Sequence, residues 1–150
     1  MIEFAFVHLK DAIDEIAENA ESHFAQMNEK SDYGDLNVDW DAYVSAMNAG
    51  YMYAVTARSE GKLIGYAVYQ ISRNTRHKHI VEAVSNAVFV ERSFRGKTAV
   101  NMLKFADEKL REVGVNRTEY VLNDSGEGLA RIIENQGYAP KYKIWSVNYV

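Results

Sequence analysis

Val88-Phe89-Val90-Glu91-Arg92-Ser93-Phe94-Arg95-Gly96-Lys97-Thr98-Ala99-Val100 is the stretch on which the reading of this chain turns. It opens in the apolar run Ala87 to Val90, which has the unbroken hydrophobicity of a strand buried on both faces. A basic turn with one glycine follows. Then Ala99, Met102, Leu103, Ala106, Leu110 and Val113 recur at helical offsets, while Lys104/Glu108 and Asp107/Arg111 make i,i+4 pairs on the opposite side. A strand that feeds a helix through such a turn leaves unpaired backbone N–H groups at the helix start, which suit an anion. Gly96 lets a phosphate come close to the backbone, and Arg95 and Lys97 add positive charge. Gly96-Lys97-Thr98 also ends like a phosphate-binding P-loop. That motif needs a glycine five residues before Gly96, and Glu91 stands there, with a carboxylate that would repel phosphates.

Upstream of this segment, Ile2 to Val7 reads as a strand, and Ile13, Ile16, Ala17, Ala20, Phe24 and Met27 read as one helix face with Asp11 as its N-cap. A polar, acidic loop runs from Asn28 to Asp39. Trp40, Tyr43, Val44 and Met47 outline a short helix ending at Gly50. Tyr51 to Arg58 and Leu63 to Ser72 form a predicted hairpin around Ser59-Glu60-Gly61-Lys62, and Ile80 to Val90 is the next strand. Downstream, Gly114 is placed to end the long helix. Thr118, Tyr120 and Leu122 alternate as a strand, Leu129, Ile132 and Ile133 mark a helix stopped by Gly137, and Tyr142 to Val150 supplies a last strand. The predicted order is β-α-α-β-β-β-α-β-α-β: a mixed, mostly antiparallel α/β sheet with helices on both faces, in a single domain over residues 1–150.

Composition narrows the function. A net charge of −4 argues against a general nucleic-acid binder. With no cysteine, the chain has no disulfide, no thiolate metal site and no cysteine nucleophile, and a reducing compartment suits it. Met1-Ile2-Glu3-Phe4 lacks the basic start and apolar run of a signal peptide, and no apolar stretch approaches the ~20 residues of a membrane span. The expectation is a cytoplasmic protein with no membrane or nucleic-acid partner.

Val90 through Leu103 resembles the acetyl-coenzyme A motif of the GNAT acetyltransferases, in which a strand with V-x-P-x-x-R-G runs into R-G-x-G-x-G/A and a helix. The resemblance extends further. Leu63-Ile64-Gly65-Tyr66 is similar to the family's second hairpin strand, and Ala130 to Tyr138 to its last helix, which ends in Gly-Phe where this chain has Gly137-Tyr138. Trp40 and Tyr43 match the W-x-x-Y of the short versions in tailed phages. The resemblance implies binding of acetyl-coenzyme A and transfer of acetyl to a primary amine, which attacks directly in a ternary complex. The strand Val88-Phe89-Val90 would line the pantetheine arm, with backbone groups of Val88 and Val90 pairing to it. The amides of Arg95, Gly96, Lys97, Thr98, Ala99 and Val100 would hold the pyrophosphate. Asn123 would touch the pantetheine or the acceptor.

The chain departs from the family at Thr98 and Val100, where the family has Gly and Gly/Ala, and at Glu91 or Arg92, where it has Pro. The Tyr that protonates the departing thiolate falls at Ile133, which has no proton to give. These departures favour an alternative, a catalytically silent module on the same fold.

Glu82 lies on the strand before the turn, where members of the family often carry a base, so the resemblance implies Glu82 as the candidate catalytic base, taking the amine's proton through water. His77 and His79 stand at i,i+2 around Lys78 without a third metal ligand, so no metal is expected. Glu29, Asp32, Asp35, Asp39 and Asp41 make the loop between the first two helices acidic; in the family that loop borders the acceptor site, so the resemblance implies a lining that suits a cationic amine. The ten tyrosines, Tyr120, Tyr138 and Tyr142 among them, are either candidates for a substitute acid or ordinary half-buried strand residues, and none stands out. The apolar residues of Tyr142 to Val150 also fit pairing with a second subunit in a homodimer.

Overall fold

The computed structural model describes residues 1–27, 37–122 and 127–149. Its five strands are β1 (Ile2–His8), β2 (Met52–Ser59), β3 (Lys62–Arg73), β4 (Val81–Val90) and β5 (Arg117–Tyr120). Four helices accompany them: α1 (Ile13–Met27), α2 (Trp40–Asn48), α3 (Lys97–Glu112) and α4 (Glu127–Asn135). The strands lie side by side in the order β1-β2-β3-β4-β5. The first three pairings are antiparallel; β4 and β5 run parallel, joined by α3. A parallel pair cannot be closed by a tight turn, so the crossover helix follows from the topology.

The hairpin turn between β2 and β3 has two residues, Glu60 (φ 50°) and Gly61 (φ 79°). Positive φ at both central positions matches the right-handed twist of the strands it joins. Helices α2, α3 and α4 all end the same way. Past α3, the Gly114 N–H reaches the Arg111 carbonyl and the Val115 N–H the Leu110 carbonyl, and the pattern repeats at Gly50/Tyr51 and Gly137/Tyr138. Each is a Schellman closure, and the glycine supplies the left-handed residue it requires (φ 79°, 92° and 95°).

Two apolar layers sandwich the sheet. On one face α3 buries Ala99, Met102, Leu103, Ala106 and Leu110, joined by Ile133 of α4, against Val55, Ala57, Ala67 and Tyr69. On the other, Leu9, Ala12, Ile16 and Met47 cover Ala54, Tyr66, Val68 and Phe89. The single-sided stripe of α3 thus becomes its core face, as its period predicts.

Two expectations are corrected. Asp11 does not cap α1: it belongs to a short 3-10 turn, Leu9–Asp11, and α1 begins after Ala12. The last strand, expected from Tyr142 to Val150, is not formed, since residues 139–149 carry no regular structure. The chain there runs back beside β5. Tyr138 packs on Tyr120, near the end of that strand, and Tyr142 reaches Arg117 at its start. Ile144, Trp145, Val147 and Tyr149, which follow, are exposed.

Candidate functional site

Strand β4 is the axis of the site. It pairs with β5 over four residues only, Glu82↔Arg117 to Ser85↔Tyr120, and then runs on to Val90 without that neighbour. On its other side, β3 follows β4 to the end, with one irregularity: Tyr69 pairs with Ser85 and Val68 with Ala87, so Asn86 is passed over. A bulged residue of this kind has no ladder partner and bends its strand. The bulge therefore sits where β4 and β5 part.

Beyond the bulge, the open edge of β4 carries main-chain groups. The Glu91 N–H donates to the Ile64 carbonyl of β3. Main-chain direction alternates along a strand, so the groups of Phe89 face β3, and those of Val88 and Val90 face the open side. The Arg95 side chain donates from Nε to the Val90 carbonyl at 2.9 Å, which fixes the turn against the strand end. Gly65 makes the close β3–β4 approach possible here: a Cβ on it would lie 3.0 Å from the Phe89 carbonyl oxygen and 3.3 Å from Val90 Cγ2.

The turn then delivers the chain to α3. Gly96 is its N-cap residue, with φ 93° and ψ −110°, a conformation reserved for glycine. No side chain caps the helix. The first helical N–H that closes on the cap residue is that of Val100, bonded to the Gly96 carbonyl at 3.0 Å. The amides of Lys97, Thr98 and Ala99 therefore have no partner within the helix. Nothing lies within 4 Å of where a Gly96 Cβ would be. Ala99 is buried and Thr98 and Val100 half-buried, while Arg95, Gly96 and Lys97 are exposed. An open strand edge thus leads, over Arg95, into an uncapped helix start.

The remaining predicted residues are distributed around this axis. The Phe89 side chain points away from α3, buried at 2% exposure, with the ring of His23 stacked 3.8 Å from its own. Glu82 stands at the other end of β4, where its Oε1 accepts from Asn74 Nδ2 at 2.8 Å. Asp39 caps α2 by accepting from the Ala42 N–H at 2.9 Å, and Asp41 lies in that helix's first turn. Asn123, Glu29, Asp32 and Asp35 lie outside the described residues. His77 and His79 are exposed, and among the described residues no group of metal-ligating side chains comes together. Two cavities, of about 380 and 480 Å³, open behind the 91–94 turn and between α3 and α4, and neither is lined by residues 86–90. No helix among the described residues is long and apolar enough to cross a membrane.

Two buried polar clusters were not anticipated. In one, Tyr69 and Tyr120 share a hydrogen bond of 2.6 Å, Tyr120 packs edge-on to Tyr138, and the Tyr138 hydroxyl donates to Asp107 Oδ1 at 2.5 Å. Burial pushes all four groups toward their neutral forms. Tyr120 is the last β5 residue before the strands part. In the other, His23 Nδ1 hydrogen-bonds the Tyr66 hydroxyl at 3.0 Å, and burial lowers the pKa of its imidazole, an effect opposed by Glu91. A histidine or tyrosine at core-facing helical or strand spacing is the available sequence signal, and it does not distinguish such a cluster from ordinary packing. Ile133 is 8% exposed and belongs to the core.

Residues 12–138 match the family described as the acetyltransferase (GNAT) family. No curated protein matches the sequence significantly. Solved structures do match. A ribosomal-protein-alanine N-acetyltransferase from Brucella melitensis biovar Abortus 2308 superposes with a TM-score of 0.72 at 19% identity, over 100% of both chains. An aminoglycoside acetyltransferase from an uncultured soil metagenomic sample, in complex with sisomicin, gives 0.75 at 11%, over 99% of this chain and 95% of that one. A predicted acetyltransferase with acetyl-CoA from Clostridium acetobutylicum gives 0.73 at 14%, over 99% and 96%. At these identities the likeness is one of fold.

Proposed function

Because this chain belongs to the GNAT acetyltransferase family, we propose that it binds acetyl-coenzyme A along β4 and transfers the acetyl group to a primary amine. The observation that carries this reading is the parting of β4 and β5 after Ser85 and Tyr120, with an open edge that leads to the uncapped start of α3.

The residues present fit the donor. The N–H and carbonyl of Val88 and the N–H of Val90 would extend the sheet by pairing with the amide-bearing pantetheine arm, the Val90 carbonyl being held by Arg95, with Phe89 holding the strand in place from the core. The amides of Lys97, Thr98 and Ala99, flanked by Arg95, Gly96 and Val100, would receive the pyrophosphate, as anions are received at helix N-termini. Asn123 follows β5 and is proposed to line the pantetheine or acceptor side. Acetyl-coenzyme A supplies an acyl thioester. The chain's part is to hold it, to place a β4 amide at the bulge where negative charge develops on the acetyl oxygen, and to receive the amine's proton. Glu82, oriented by Asn74, is the proposed base, acting through water. Asp39 and Asp41 fit a cationic acceptor.

Calorimetric titration with acetyl-coenzyme A tests donor binding, with 3′,5′-ADP as competitor. Thiol release across a panel of amines tests transfer. Saturable heat without thiol release would favour a second reading, a silent module that binds without turning over. The burial of Ile133, at the position of the family's acid, supports that reading. No heat with ligand in large excess would sink both.

A further inference from the structure

One row of the sheet stands where two changes of register begin. Tyr69 of β3, Ser85 of β4 and Tyr120 of β5 lie opposite one another across three strands. Immediately after this row β3 skips Asn86 to pair Val68 with Ala87, and β5 stops pairing with β4 altogether. Whatever holds this last row together decides where the strands begin to part.

Side chains directly opposite one another share a face and interact. Here it is the face under α3: Tyr69 belongs to that core and Tyr120 packs against it. Because β3 and β5 flank β4, their backbones lie roughly 10 Å apart. An ordinary cross-strand pair does not reach over an intervening strand. These two tyrosines do, since the residue between them is Ser85, whose side chain is short. Their hydroxyls meet at 2.6 Å, a short contact for two hydroxyl groups. Tyr69 is wholly buried, and among the described residues its one hydrogen-bond partner is Tyr120.

Tyr120 is held from a second side as well. Its ring lies edge-on to that of Tyr138, with centroids 5.3 Å apart, and the Tyr138 hydroxyl donates to Asp107 of α3 at 2.5 Å. The last residue of β5 is thereby fastened to β3 across β4 and, through Tyr138, to the helix whose start is the proposed pyrophosphate site. A buried tyrosine needs one partner for its hydroxyl. Joining two non-adjacent strands at the row where the sheet divides goes beyond that need.

We propose that Tyr69 and Tyr120 form a clasp that fixes where β5 leaves β4, and that they are positioning residues for the pantetheine arm of the donor. This rests on the reading of the open β4 edge as the donor site. With the clasp closed, the fork between the strands begins at Ser85, and an arm paired with Val88 and Val90 runs up to a fixed stop. With the clasp open, the end of β5 frays, the fork lengthens toward Glu82, and the arm loses that wall. The phosphate contacts at the start of α3 stay as they were.

Tyr69→Phe, Tyr120→Phe and the double variant test this. Tyr120→Phe strands the Tyr69 hydroxyl in the core, the costly way to lose a hydrogen bond, whereas the double variant removes both hydroxyls and avoids that cost. The double variant should therefore melt higher than Tyr120→Phe. Affinity should not recover with it. Acetyl-coenzyme A should bind all three variants about fivefold or more weakly than wild type, the net contribution of one hydrogen bond, while 3′,5′-ADP binds within about twofold of wild type. Hydrogen exchange should quicken at residues 117–120 while the β2–β3 hairpin keeps its protection. A role in packing alone predicts affinity that follows melting temperature, or exchange that rises evenly across the sheet. Either result overturns the clasp, and so does wild-type exchange at 117–120 in the double variant. If wild type takes up no acetyl-coenzyme A, the donor reading fails and exchange alone decides: selective loss of protection at 117–120 upholds the clasp, and uniform or unchanged exchange overturns it.

Discussion

Replacing Gly96 separates folding from ligand binding, because the two costs have different origins. With φ 93° and ψ −110°, any side chain here strains the backbone, by about 1–3 kcal/mol. The Cβ itself meets nothing within 4 Å, so the strain is the same for alanine and glutamate. A glutamate at a helix N-terminus recovers roughly 0.3–1 kcal/mol from the helix dipole. Gly96→Glu should therefore melt no lower than Gly96→Ala, and for a chain of this size both should lose a few degrees per kcal/mol. Binding should behave differently. Two charges about 5 Å apart interact by roughly 1–3 kcal/mol, between the dielectric of water and that of a protein surface. Gly96→Glu should then bind acetyl-coenzyme A about five- to a hundredfold more weakly than Gly96→Ala, whose methyl supplies the steric effect alone. The assay is calorimetric titration of both variants well below their melting temperatures, with unfolding curves recorded alongside. Equal affinities in two folded variants would refute a phosphate site at the start of α3.

Gly65→Ala would press a Cβ onto the Phe89 carbonyl, a backbone atom that cannot swing aside. About 1–3 kcal/mol of stability should be lost, together with donor affinity, since the displaced segment ends at Val90; an unchanged melting temperature would contradict the close packing. Glu82→Gln should cut turnover ~10²-fold or more while leaving donor affinity alone; a change of less than threefold by the same thiol assay would remove Glu82 from the chemistry. Ile133→Tyr should overpack the core at about 1–3 kcal/mol and bring no gain in turnover, whereas a stable variant that releases thiol faster would put residue 133 on the cleft. His23 binds a proton less readily in the folded chain than in the unfolded one, so its contribution to stability is present above its ordinary pKa of 6.5 and lost as pH falls through the lowered folded value. Urea midpoints should therefore drop between neutral and mildly acidic pH more steeply for wild type than for His23→Phe; identical slopes would mean that the buried ring does not titrate in that window.

Local chemistry made most of the fold legible in the sequence. The three-and-four spacing of α3, the Glu60-Gly61 turn and the glycines that close α2, α3 and α4 act within a few residues of themselves, and the structure keeps them all. The approach from β4 to Gly96 was legible for the same reason: strand, glycine turn and helix are contiguous. What depended on partners distant in sequence was not. The bulge at Asn86 arises from how β4 must meet β3 and β5 together, and Asn86 itself is unremarkable. The Tyr69–Tyr120–Tyr138–Asp107 chain joins two strands, α3 and the end of α4. The 142–149 segment has the composition of a strand, but composition does not tell where the chain has arrived when that stretch begins. The departures from the family at Thr98, Val100 and Ile133 were visible at once. Whether Ile133 faced a cleft or the core required its neighbours.

The pairing scheme also has a consequence for the order of assembly. β2, β3 and β4 form a meander whose contacts close short loops, whereas β1 must return across two helices and β5 across one before either can pair. Loop closure makes such distant pairings the slower ones. The meander is therefore expected to gather first, with β4 briefly an outermost strand along its whole length. Docking of α3 and β5 then covers only its first half. On this account the groove is not carved into a finished protein but is the part of that edge which the last strand to arrive never reaches. A change that loosens β5 should leave the meander standing and erase the groove, so that ligand affinity fails before the fold does.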